Sequence, residues 1–390
     1  MPNAGFDQRT RALLESLVDT GQYKHLQHLT GPMGPVVTIE GRGDVICLCS
    51  NNYLGLAAHP EVMQAGIDGI HQYGAGTASV RFICGTLVCH RQVEEAVARF
   101  VGTPAALTYV SCWNANEALI PTVAGDDDVI ISDELNHASI IDAGRLVRKA
   151  ERAIFKHSDM EELEAKLKQH AEKVCRWVVT DGVFSMEGDT ANLPAMHDLC
   201  RRYDAMLIVD DSHGMGVLGK GGRGTPEHFG LLGQVDMLTG TLGKALGGAA
   251  GGYVAASEHL VDLLVQRSRP SLFSNALPAT TACSARTAIE IIEREPELVE
   301  RLHRNVKQMR DGLRGLGFQA TDSPSAIIPI IIGDTAEAIA KSQRLLELGV
   351  WVVGFGFPVV PQGQARLRVQ VSAALEGWHI EKALEAFGRL

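Results

Sequence analysis

Four segments of the chain end an apolar run on side chains that can hold or move a proton. The run near position 130 leads to Asn136 and His137, and the run near 178 leads to Asp181 and Ser185. Met-Leu-Ile-Val at 206–209 leads to Asp210, Asp211, Ser212 and His213, and the run near 238 leads to Thr239, Thr241 and Lys244. Asp210 follows its apolar run directly, so it is expected to be buried. A buried carboxylate needs a partner to stay charged. A cap on a neighbouring loop is one such arrangement; the counter-ion of a bound cation is the functional one. His213, taken alone, fits an ordinary core or surface histidine. Lys244 stands in Gly-Thr-Leu-Gly-Lys-Ala-Leu-Gly-Gly at 240–248. A phosphate-binding loop would need glycine where Leu238 stands and Ser or Thr where Ala245 stands. No G-x-G-x-x-G opens a helix after the first strand either. Two readings remain. One is a lysine that forms an imine, with small neighbours letting a planar cofactor approach the backbone. The other is an exposed loop lysine.

Such residues need strands to carry them, because ligands of open α/β sheets bind beyond the carboxyl ends of the strands. The runs 105–111, 129–134, 176–185, 206–213 and 237–243 read as strands, and 91–102, 160–173 and 193–205 read as helices between them. Apolar strands alternating with helices predict a parallel sheet covered on both faces. Beyond 290 the pattern changes to a charged helix near 297–317, an apolar run, a helix at 337–349 and two further strands. The predicted organisation is therefore an N-terminal arm at 1–55, a large α/β domain at 56–290 and a small α+β domain at 291–390. Arg366 and Arg368 alternate on one of the last strands and so share a face. Either they recognise a carboxylate, which suits arginine, or that face is solvated.

Composition narrows the function. The chain has 390 residues, is 45% hydrophobic, and carries 46 acidic against 36 basic side chains for a net charge of −10. That balance argues against disorder and against a general nucleic-acid binder. No apolar run is long enough to span a membrane, and the first residues lack an apolar signal core. No metal-ligand spacing is present. The eight cysteines form no C-x-x-C pair, so they read as reduced thiols of a cytoplasmic protein.

Taken together, the motifs resemble one family. N-N-Y-L-G-L (51–56), D-E-L-N-H-A-S-I-I-D (133–142), T-D-G-V-F-S-M-E-G (180–188), D-D-S-H (210–213), G-T-L-G-K-A-L-G-G (240–248), R-S-R-P-S-L-F-S-N (267–275) and F-P-V-V-P-Q-G-Q-A-R-L-R (357–368) are similar to the α-oxoamine synthases. These are pyridoxal-phosphate-dependent enzymes of fold type I. The likeness runs from about 45 to 375. It implies an aspartate-aminotransferase-like fold with a mainly parallel seven-stranded sheet and a small C-terminal domain. It also implies roles. Lys244 would hold pyridoxal 5′-phosphate and later move the Cα proton. Asp210 would pair with the ring nitrogen, His213 would bind the ring oxygen beside Ser185, and His137 would stack on the ring. Thr241 would bind the phosphate, with Ser111, Cys112 and Trp113 beside the cofactor. Ser274 and Asn275 would reach the phosphate of the neighbouring subunit in a homodimer. Arg368 would clamp the substrate carboxylate, with Asn51 nearby.

The implied reaction condenses glycine, or another small amino acid, with an acyl-CoA. Acetyl-CoA is the first choice of donor, giving 2-amino-3-ketobutyrate and CoA. The alternatives are a decarboxylating relative that uses another acyl thioester, including one on an acyl-carrier protein, and, further off, an aminotransferase or lyase of the same fold. Two departures from the family pattern bear on the donor. Leu375 and Glu376 stand where the family has His and Thr, and C-W-N-A-N-E-A occupies 112–118.

Overall fold

Near-continuous apolar strands do form the centre of the protein. The computed structural model describes residues 3–390. Its main sheet has seven strands in the spatial order Ala105–Tyr109, Gly252–Ala256, Met237–Thr241, Met206–Asp210, Arg176–Asp181, Val129–Asp133 and Glu151–Phe155. The five strands from Met237–Thr241 to Glu151–Phe155 run parallel to one another. Gly252–Ala256 runs antiparallel to both of its neighbours. This is the mainly parallel α/β sheet of fold type I, as the motif resemblance implied.

Burial explains which strands are legible. Met206–Asp210 and Arg176–Asp181 sit mid-sheet, with every residue after the first buried. They read as apolar runs because both faces are covered. Glu151–Phe155 is one of the two edge strands, and only Phe155 is buried. Its composition, Glu-Arg-Ala-Ile-Phe, gives no strand signal. Gly252–Ala256 is buried throughout, but the glycines before it mask the run. A side chain at Gly252 would put its Cβ 2.3 Å from the Cys112 backbone nitrogen. Glycine is required there by the close approach of the strand to the start of the helix Cys112–Val123.

Contacts divide the chain into two units. The larger comprises residues 51–304 with 322–326 and contains the seven-stranded sheet; the other comprises residues up to 50, 305–321 and 327–390. In this second unit the strand Gly43–Cys47 pairs antiparallel with Val36–Ile39 and parallel with Val350–Trp351. A further sheet joins Ile327–Gly333, Ala365–Gln370 and Val353–Phe355, all antiparallel. The N-terminal segment, expected as a separate arm, thus shares a sheet with residues some 300 positions later.

Candidate active site

The larger unit holds a cavity of about 240 Å³ at the carboxyl ends of its parallel strands. Ser111, Cys112, Trp113, His137, Ser185, Asp210, His213, Thr241 and Lys244 all line it, together with Ser139, Asp181 and Ser212. Residues spread over more than 130 positions therefore meet at one point, because the strands that deliver them are neighbours in the sheet.

Asp210 forms the base. It ends the strand Met206–Asp210 and is 4% exposed. Its Oδ1 accepts the Ser212 backbone N–H at 3.0 Å, and its Oδ2 accepts Asn116 Nδ2 at 2.7 Å. The Cys112 thiol adds a weaker contact at 3.5 Å. Burial alone would raise its pKa, but the hydrogen bonds from Ser212 and Asn116, with the charge of Lys244, hold it below the usual carboxylate range. The donors of these hydrogen bonds are neutral, so a fixed negative charge faces the cavity. Asp181 sits opposite Asp210 in register on the next strand. Burial and the neighbouring Asp210 charge push its pKa well up. Its Oδ2 accepts the His137 backbone N–H at 2.7 Å. The pair thus divides into one carboxylate that holds charge and one whose charged form is penalised.

His137 caps the helix Ala138–Leu146 and stands edge-on to the Trp113 ring at 6.0 Å. Burial lowers its pKa and Lys244 adds to that, while Asp210 opposes both. His213 Nδ1 lies 2.8 Å from the hydroxyl of the buried Tyr53. Ser111 caps the helix Cys112–Val123 by accepting the Asn114 N–H. The Cys112 thiol is raised well above its usual pKa by burial and the Asp210 charge, so it is no nucleophile here. Thr241 Oγ1 accepts the Gly243 N–H at 3.0 Å, tightening the turn that leads to Lys244.

The remaining expected residues lie elsewhere. Ser274 and Asn275 line a separate narrow cavity with Arg81, Thr108 and Asn114. Asn51 opens the larger unit. Arg368 belongs to the other unit, on the strand Ala365–Gln370, with its guanidinium 4.7 Å from the Phe355 ring centroid and a hydrogen bond to Gln370 at 3.1 Å. The divergent Leu375–Glu376 pair has a local explanation. Leu375 is 2% exposed, and Glu376 and His379 form a reciprocal cap on the helix Gly377–Phe387.

Two functional candidates escaped sequence reasoning. Asn116 is a neutral amide inside a helix, and Ser139 follows the more conspicuous His137. A signal did exist for Asn116: it lies four residues after Cys112, hence on the same helix face. Both side chains reach Asp210.

Comparison with known proteins shows the family. A profile of the family "Aminotransferase class I and II" matches residues 43–387. The 2-amino-3-ketobutyrate coenzyme A ligase of Escherichia coli K12 is 46% identical over 388 residues, covering 99% of this chain and 97% of that protein. The 8-amino-7-oxononanoate synthase of Exiguobacterium sibiricum is 45% identical, covering 98% and 97%. Among solved structures, Sphingomonas wittichii serine palmitoyltransferase superposes with a TM-score of 0.93 at 33% identity, covering 99% of this chain and 97% of that one.

Proposed function

The chain belongs to the class I and II aminotransferase family, and from that premise we propose that it is a pyridoxal-phosphate-dependent acyltransferase. It joins glycine to the acetyl group of acetyl-CoA, giving 2-amino-3-ketobutyrate and CoA. The observation that carries the reading is the charged, buried Asp210 in one cavity with Lys244 and His137. Relatives at 43–47% identity across almost the whole chain bear the matching name.

The residues fit the cofactor's chemistry. Pyridoxal phosphate brings a ring nitrogen that can carry positive charge, an aldehyde and a phosphate. A buried carboxylate held in its charged form by neutral donors suits the first. Lys244 at the cavity wall suits the second, and the turn at Thr241 with the helix N-terminus at Ser111 suits the third. When bound, the cofactor supplies an electron sink that stabilises negative charge on the amino acid's α-carbon.

The protein's own groups do the rest. Asp210 would keep a positive charge on the ring nitrogen, and Tyr53 holds His213, which with Ser185 would meet the ring oxygen. Lys244 would hold the cofactor, and its Nζ is the group that would accept the α-proton of glycine. The motif resemblance assigns the substrate carboxylate to Arg368 and Asn51. The net change breaks the α-carbon C–H bond and the thioester C–S bond and forms one C–C bond; the thiol leaves with a proton. Ser274 and Asn275 would reach the phosphate of the neighbouring subunit, which makes a homodimer the active unit of this reading. A cytoplasmic location completes the reading, supported by eight cysteines outside any disulfide. No helix among the described residues is long and apolar enough to cross a membrane.

The test is a thiol-release assay on cofactor-loaded protein. Glycine, alanine and serine are each paired with acetyl-, propionyl-, malonyl- and longer acyl-CoA, and products are identified by mass spectrometry. Fastest release with glycine and acetyl-CoA is expected. Amino-group transfer to an oxoacid without thiol release would make the protein an aminotransferase instead.

A further inference from the structure

Asp210 connects to His137 through two side chains that the chemistry above does not use. Asn116 Nδ2 lies 2.7 Å from Asp210 Oδ2 and 2.9 Å from Ser139 Oγ, and Ser139 Oγ lies 2.7 Å from His137 Nδ1. Asn116 and Ser139 are each 1% exposed, so water does not compete for these bonds.

The direction of each bond follows from what each group can do. A charged carboxylate only accepts. The Asn116 amide must therefore turn its nitrogen to Asp210, leaving its oxygen to the Thr239 hydroxyl at 2.9 Å. The second hydrogen on Nδ2 then goes to Ser139 Oγ. Ser139, accepting there, has its own hydrogen to give, and His137 Nδ1 is the neighbour at 2.7 Å. The Ser139 backbone N–H, a donor only, also stands 3.2 Å from Nδ1. A ring nitrogen that faces two donors carries no hydrogen of its own, so the ring hydrogen sits on Nε2.

We propose that Asn116 and Ser139 are positioning residues that transmit the charge of Asp210 to His137 and fix its imidazole as the neutral tautomer protonated on Nε2. His137 then enters the reaction as an N–H donor to a substrate oxygen. Proton removal falls to Lys244 rather than to two competing bases. The proposal rests on the reading of this cavity as a cofactor site, but not on which acyl donor is used.

Neutron diffraction from deuterated, cofactor-loaded protein reads the hydrogens directly. Deuterium on Nε2 and none on Nδ1 of His137, with the Ser139 hydroxyl pointing at Nδ1, is the expected result. Deuterium on Nδ1, or a Ser139 hydroxyl pointing at Asn116, overturns the proposal. A solution test uses ¹⁵N-labelled histidine, with the His137 signals assigned by their loss in His137→Asn. Wild type and Ser139→Thr should show an unprotonated Nδ1 and a protonated Nε2. Ser139→Ala should shift both toward averaged tautomers and lower kcat about five- to tenfold with a smaller change in the KM for glycine. Unchanged nitrogen shifts in Ser139→Ala would remove Ser139 from the chain. The neutron and ¹⁵N readouts precede any acyl donor, so they stand even if acetyl-CoA proves the wrong substrate.

Discussion

At the scale of single residues the proposed function places the chemistry on Lys244 and Asp210, and each predicts its own defect. Lys244→Ala should lower exchange of the glycine α-hydrogen with solvent by at least about 10³-fold, as expected when a positioned base is lost. Proton NMR of glycine in deuterium oxide measures this without an acyl donor. Asp210→Ala should weaken cofactor binding by about 10- to 100-fold, the scale of one charge-assisted hydrogen bond. Titration of the cofactor-free protein by visible absorbance reads that change. Both stood out in the sequence as candidates for physical reasons: a carboxylate directly after Met-Leu-Ile-Val is costly to bury without a partner, and a lysine among glycines leaves room for a planar group to approach. Asn116 and Ser139 did not. Neutral amides and hydroxyls occur everywhere, and only their distances to Asp210 and His137 mark them out.

At the scale of elements, the ends of neighbouring strands must be held together for the cavity to exist. His157, just beyond the edge strand Glu151–Phe155, does part of this. Its Nδ1 lies 3.2 Å from Asp133 and its Nε2 2.9 Å from Asp189, in the segment that follows Ser185. Burial would lower its pKa, but the hydrogen bonds and charges of the two carboxylates raise it from the usual 6.5 to about 10. A histidine with a raised folded-state pKa stabilises the fold fully below its unfolded pKa. That contribution is lost as pH rises through the folded value. His157→Asn should therefore destabilise the protein by about 3 kcal/mol at pH 7, and the deficit should shrink as pH approaches 10. Denaturant melts across that range measure it. This clamp was hidden for the same reason as its strand. Glu151–Phe155 has one buried residue, so neither a strand nor a half-buried histidine at its end could be read from the pattern.

At the scale of the whole molecule, assembly is the open consequence. Phe82, Ile83 and Phe273 are 61%, 67% and 71% exposed, an unusual exposure for large apolar side chains clustered near a site. Phe82 and Ile83 follow Val80, which pairs with Asn275, and Phe273 precedes Ser274, so these apolar side chains flank the residues assigned to the neighbouring subunit's phosphate. Ile83→Asp should shift the protein toward monomer in sedimentation velocity and cost activity in parallel. An unchanged dimer would place the subunit contact elsewhere. The sheet order and the long-range pairings were out of reach of the sequence. The strand Gly43–Cys47 is short, and its partner Val350–Trp351 has two residues, so nothing local announces a pairing across the length of the chain.

The central claim is that glycine gains an acyl group and keeps its carboxylate. Its most direct test is turnover of carboxyl-¹³C glycine with acetyl-CoA, with the β-keto product trapped by borohydride reduction during turnover and analysed by mass spectrometry. The account predicts a trapped four-carbon amino acid that retains the label, formed in step with CoA release. Label appearing as carbon dioxide at the rate of CoA release would contradict it and place the protein with the decarboxylating members of its family.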